Sequence, residues 1–121
     1  MKKTHETHFD MCRNLAKRSQ HSTFRHGSIA VSGSSVVGKG SNRRSLHAEV
    51  SAVKDTVKKK IGKGTRRLKV YVCRVSSAGM FMNSRPCAKC MRFMRDAGVS
   101  KVYFSDQFGF AKIVLQTGIG V

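Results

Sequence analysis

The sequence predicts an α/β fold, a mixed five-stranded sheet with helices on both faces, and three observations carry that expectation. Segments with apolar residues at helical spacing alternate with segments rich in β-branched and aromatic residues, in the order α-β-β-α-β-α-β-β. The last two strands are separated by only a few residues around Gln107-Phe108-Gly109. A parallel crossover needs a dozen or more, so these two strands pair antiparallel. The chain has 121 residues, 40% of them hydrophobic, enough for one core and too few for two, so residues 1–121 are expected to form a single domain.

Each element has its own signal. Phe9, Cys12, Arg13 and Ala16 are helically spaced within Phe9 to Lys17, with Thr7 as a cap. His5, His8 and Cys12 line one face of the same segment at i, i+3 and i+7, a face that is either solvated or satisfied in the core. Ser28 to Val31 and Ser35 to Gly38 flank Ser32-Gly33-Ser34 and read as a hairpin. A second helix runs from Ala48 to Val57, with Ala48, Ala52 and Val53 on its apolar side, and the glycines of Ile61-Gly62-Lys63-Gly64 break it. Leu68 to Val75 is a buried central strand, and Cys73 within it a core thiol. Pro86 leads into a third helix, Cys87 to Ala97, which ends at Gly98. Val99 to Ser105 and Ala111 to Leu115 complete the sheet.

Charge narrows the company this chain keeps. It has 24 Lys and Arg against 6 Asp and Glu, a formal net charge of +18. Such an excess favours anionic partners, whether nucleotide, nucleic acid or anionic membrane, and says nothing about fold. No apolar run reaches the roughly 18 residues that span a bilayer, and Met1 to Asp10 has no apolar core of a signal peptide. The expectation is a soluble protein of the cell interior, cytoplasmic with the nucleus open, and no membrane partner. Four cysteines in that setting are ligands, catalysts or buried thiols rather than a disulfide framework.

The chemistry concentrates in His47-Ala48-Glu49 and Pro86-Cys87-Ala88-Lys89-Cys90, each at the start of a predicted helix. Cys87 and Cys90 are three apart, so both sulfurs lie on one side of a first turn, about 5–6 Å apart. A helix N-terminus also favours the thiolate. By itself that spacing fits a structural zinc half-site, two buried thiols or a catalytic centre. Two thiolates plus the His47 imidazole suit zinc and leave its fourth position to water. Glu49 can then carry a proton between that water and a leaving group, provided the end of the helix, rather than its side, faces the metal.

This His-x-Glu and Pro-Cys-x-x-Cys pattern resembles the zinc-dependent cytidine and deoxycytidylate deaminase superfamily. The resemblance extends over the hairpin, Gly38-Lys39-Gly40-Ser41-Asn42, the strand between the motifs and Val99 to Ser105. It implies a three-layer cytidine-deaminase-like fold and one zinc per chain held by His47, Cys87 and Cys90. It further implies Glu49 as proton shuttle, with Asn42 hydrogen-bonding the nucleoside and Ala48 and His26 beside the substrate. The reaction implied is hydrolytic deamination of a cytosine nucleotide or nucleoside, with zinc-activated hydroxide attacking C4 and ammonia leaving. Histidine at position 47 resembles the deoxycytidylate, nucleic-acid and tRNA branches. An antiparallel last hairpin with no helix after Leu115 is unlike tRNA adenosine deaminases. Small deaminases of this kind form dimers or tetramers, so a homo-oligomer is expected.

The basic residues divide into two sets. Eight of the 24 lie between Lys54 and Lys69. Lys60, 13 residues beyond His47 along a helix, falls about 20 Å from the metal. That block is a nucleic-acid anchor, a localisation signal or a solvated surface. Arg43, Arg44, Arg85 and Arg25 lie near the metal motifs and suit a 5′-phosphate or a polynucleotide backbone. Phe24, Phe108 and Phe110 are positioned to stack a base, pack in the core or meet a subunit. Two further functions stay open: a deaminase editing single-stranded nucleic acid or tRNA, and a basic nucleic-acid-binding protein with a structural zinc.

Overall fold

The periodicities resolve into three helices and six strands in a computed structural model that describes residues 3–19, 25–33, 35–42, 47–58 and 68–115. In chain order these are α1 (Lys3–Lys17), β1 (Arg25–Ser32), β2 (Ser35–Ser41), α2 (Ala48–Lys58), β3 (Leu68–Val75), β4 (Phe81–Met82), α3 (Ala88–Asp96), β5 (Val99–Asp106) and β6 (Gly109–Val114). The five long strands lie in the order β2-β1-β3-β5-β6, with β4 paired to the end of β3. β3 and β5 run parallel and every other pair is antiparallel, including β5 with β6 as the short connection requires.

Strand alternation sends one set of side chains to each helical layer. Ile29, Tyr71, Cys73 and Val75 share a core with Phe9, Cys12 and Ala16 of α1. Ala30, Val70, Val72, Val102 and Phe104 share the other with Val53 of α2 and Cys90 and Met94 of α3. The histidine face of α1 belongs to the core: His8 is buried, and His5 rests against Tyr71 and Tyr103 at centroid distances of 5.6 and 4.5 Å. That packing extends the helix back to Lys3, six residues before Phe9, where its apolar spacing begins.

The other differences from the sequence reading also come from tertiary pairing. Arg25, His26 and Gly27 read as polar loop, yet they open β1 because Val75, Arg74 and Cys73 offer them a ladder. Phe81 and Met82 form the short sixth strand on Val75 and Arg74, in the segment 76–85 that reads as loop. Gly79 turns that hairpin at φ 83°.

The ladder also locates the business end of the sheet. Arg25 pairs with Val75 and Gly27 with Ser41, so β2 ends where β3 ends. The starts of α2 and α3 therefore gather at the carboxyl edge of the parallel strands, where ligands bind in α/β sheets. Gly40 lets α2 sit close: a Cβ there would lie 2.6 Å from Ala52 N and 2.8 Å from Ala48 O.

Candidate active site

Cys87 is the N-cap of α3, so the helix itself begins at Ala88, one residue later than expected, and the Cys87 sulfur accepts the Cys90 backbone N–H at 3.4 Å. Capping fixes the sulfur over the first turn, and the helical spacing brings Cys90 Sγ within 3.3 Å of it. From the other helix end, His47 Nδ1 stands 3.1 Å from Cys90 Sγ. The three ligand atoms lie within 4.8 Å of one another.

A tetrahedral zinc with bonds of about 2.3 Å to sulfur and 2.0 Å to nitrogen would hold such atoms about 3.5–3.8 Å apart. The Cys87–Cys90 and Cys90–His47 separations need to open by only a few tenths of an ångström and the third pair lies within 4.8 Å, so the donors fit zinc. Electrostatics agree. Hydrogen bonding from the Cys90 N–H holds the Cys87 thiol below its ordinary value. Burial, with the Glu49 carboxylate beside it, pushes the Cys90 thiol up. A cation bound there would offset the cost of ionising Cys90 beside Glu49.

Glu49 converges on the same donor group. It lies in the first turn of α2, is buried, and places Oε1 3.6 Å from His47 Nδ1. His47 immediately precedes the helix, so two residues that could not share a helical face converge at its end. Ala48 between them is buried at the first helical position.

The remaining site residues of the sequence reading are placed unequally. Asn42 follows β2, and its side-chain oxygen accepts the His26 N–H at 2.9 Å and also contacts the Ser19 hydroxyl. His26 pairs across the ladder with Arg74, on the sheet face that carries α2 and α3. Arg85 is exposed, 5.6 Å from the Phe104 ring centroid and two residues before Cys87. Arg43, Arg44, Phe24 and most of the basic block, residues 59–67, lie outside the described residues. Phe110 stacks on Phe9 at 4.0 Å as a core residue, whereas Phe108 is 89% exposed at the β5–β6 turn. Cys73 is the core thiol its strand implies, and all four cysteines are free. No helix among the described residues is long and apolar enough to cross a membrane. The sequence reading passed over Ser84 and Ser105, buried polar residues behind the cysteine loop; a serine in a polar stretch carries no signal of burial.

Fold and donor set together define a protein with a cysteine–histidine metal centre at the carboxyl edge of a mixed α/β sheet. The family described as the cytidine and deoxycytidylate deaminase zinc-binding region matches residues 2–106, and the chain belongs to it. Zinc is the cofactor that this zinc-binding region and the His47, Cys87 and Cys90 group share. Among solved structures, the apo dCMP deaminase of cyanophage S-TIM5 is 21% identical, covering 86% of this chain and 84% of its own, with a TM-score of 0.68. The cytidine deaminase of Burkholderia pseudomallei is 18% identical, with 92% of each chain covered and a TM-score of 0.68. A bifunctional diaminohydroxyphosphoribosylaminopyrimidine deaminase and 5-amino-6-(5-phosphoribosylamino)uracil reductase from Thermotoga maritima is 18% identical over 84% of this chain but only 29% of its own, with a TM-score of 0.63. These likenesses show a shared fold. No curated protein sequence matches significantly.

Proposed function

We propose that the chain is a zinc-dependent hydrolytic deaminase of a cytosine nucleotide or nucleoside, acting as a single domain of residues 1–121 within a homo-oligomer of the cell interior. What supports this most directly is the buried Glu49 carboxylate 3.6 Å from the imidazole of a His-Cys-Cys donor group. A closed structural zinc site has no use for a carboxylate held there.

In this reading His47, Cys87 and Cys90 hold the metal. Zinc, when bound, supplies Lewis-acid activation of water at neutral pH. Glu49 accepts a proton at its carboxylate from the attacking water and returns it to the departing amine, so one group serves both halves of the hydrolysis. Its burial keeps that proton from bulk solvent. Asn42, Ala48 and His26 orient the nucleoside, and Arg85 with Arg43 and Arg44 supplies guanidinium donors for a phosphate. The solved relatives support a nucleotide substrate in one respect: the cyanophage dCMP deaminase also has a structure described as in complex with dCMP and dUMP.

The net charge of +18, with Phe108 exposed at a hairpin tip, favours a second reading in which the substrate base lies in single-stranded nucleic acid. Incubating the zinc-loaded protein with deoxycytidylate, cytidine and short oligonucleotides, and measuring ammonia, separates the two. Release from the monomers supports the leading reading, release from oligonucleotides alone supports the second, and release from none leaves a zinc-bearing binding protein.

A further inference from the structure

The parallel pairing of β3 with β5 runs only from Leu68 to Val72, after which β3 turns its edge to β4. A sheet that splits in its interior leaves backbone groups needing partners, because a buried polar group left unmet is costly. Two buried serines stand in the split. The Ser84 hydroxyl accepts the Ser105 N–H at 2.8 Å and lies 3.0 Å from both Val72 O and Ser105 O, to one of which it donates. The Ser84 N–H donates to Ser105 O at 2.8 Å. The Ser105 hydroxyl donates to Met82 O at 2.8 Å and accepts the Arg74 N–H at 3.2 Å. The hydroxyls themselves are 3.0 Å apart. Together they tie β3, β4 and β5 to the segment that follows β4.

That segment carries the sulfurs. Only Arg85 and Pro86 separate Ser84 from Cys87, and proline fixes one of the intervening backbone angles. Arg85 adds rigidity through its N–H, which donates to Asn83 Oδ1 at 3.1 Å. His47 approaches from a different element, so the separation of Cys90 Sγ from His47 Nδ1 depends on how far the cysteine loop is held from the sheet.

We propose that Ser84, paired with Ser105, is the positioning residue that sets where Cys87 and Cys90 stand relative to His47. The inference rests on the zinc reading above and adds what holds the donors in register. Partners behind the ligands of a metal site typically change metal affinity by about 10–100-fold when lost.

Cobalt titration of the full chain tests it, because the cobalt–thiolate charge-transfer band reports ligand geometry and the titration gives affinity, both without turnover. Ser84→Ala is expected to weaken cobalt binding about 10–100-fold and shift the band while the protein still melts cooperatively. Ser84→Thr, which keeps the hydroxyl, is expected to restore both. Ser105→Ala leaves Ser84 its bonds to backbone groups and should move both in the same direction by less. A Ser84→Ala protein with wild-type affinity and band overturns the proposal; if that variant does not fold, the same two readings unchanged in Ser105→Ala overturn it. A wild-type chain that takes up no cobalt refutes the metal reading itself, whatever the variants do.

Discussion

Replacing Gly40 with alanine tests whether the seat of α2 on β2 governs the site. The added Cβ would meet Ala52 N at 2.6 Å, Ser51 Cβ at 2.7 Å and Ala48 O at 2.8 Å, about 0.6–0.8 Å short of the ordinary 3.4 Å contact. Two of these three atoms are backbone, so no rotamer change relieves the overlap, and the start of α2 must lift by a comparable distance. Overpacking of this kind costs about 1–3 kcal/mol. For a chain of this size, at about 4 °C per kcal/mol, the melting temperature should fall by about 4–12 °C. Ala48 lies between His47 and Glu49, so the lift displaces both from the cysteines of α3. A misplacement near 1 Å can cost about 10²-fold in rate, so ammonia release should drop by about 10–100-fold. Calorimetry and steady-state turnover on the same preparation measure the two effects. A Gly40→Ala protein with unchanged melting temperature and unchanged turnover would refute both the close packing and its link to the site.

Three further outcomes are expected. Glu49→Gln, which keeps shape and burial but cannot carry a proton, should lower deamination by about 10²–10⁴-fold while metal content by elemental analysis stays near one per chain. Cys87→Ala should lose most of its zinc, and chelator treatment of the wild type should abolish turnover in a manner reversed by added zinc; full zinc retention in the variant would mean the ligand set is wrong. Burial, with Tyr103 beside it, pushes the Tyr71 phenol up from 10.0 to about 12. Its contribution to stability is therefore complete below about pH 10 and lost as pH rises toward about 12, because the unfolded chain releases that proton first. Denaturant titrations across this range should show a steeper alkaline loss for the wild type than for Tyr71→Phe, and equal slopes would contradict the burial of the phenol.

Much of this is legible in the sequence. Apolar periodicity located the core of α1 and α2, β-branched density marked β3, and the short Gln107–Gly109 connection required antiparallel last strands. The His-x-Glu and Pro-Cys-x-x-Cys spacings named the donors that the structure brings within 4.8 Å. Element edges were less legible, since Arg25, His26 and Phe81 become strand only where β3 offers them a partner. The alternatives for the histidine face of α1 were also undecidable from spacing, because burial of His8 depends on Tyr71, which is 63 residues away.

The sequence alone therefore determined which chemistry is available, because donor type and local spacing are properties of short segments. Only the tertiary structure decided how those segments meet. It placed the starts of α2 and α3 at one edge of the sheet, turned Asn42's oxygen inward, and set Ser84 and Ser105 behind the cysteine loop. The physical reason is that local spacing constrains side chains within a turn or a pleat. Contacts between distant segments follow from burying two helical layers against one sheet and satisfying the backbone groups enclosed in the process.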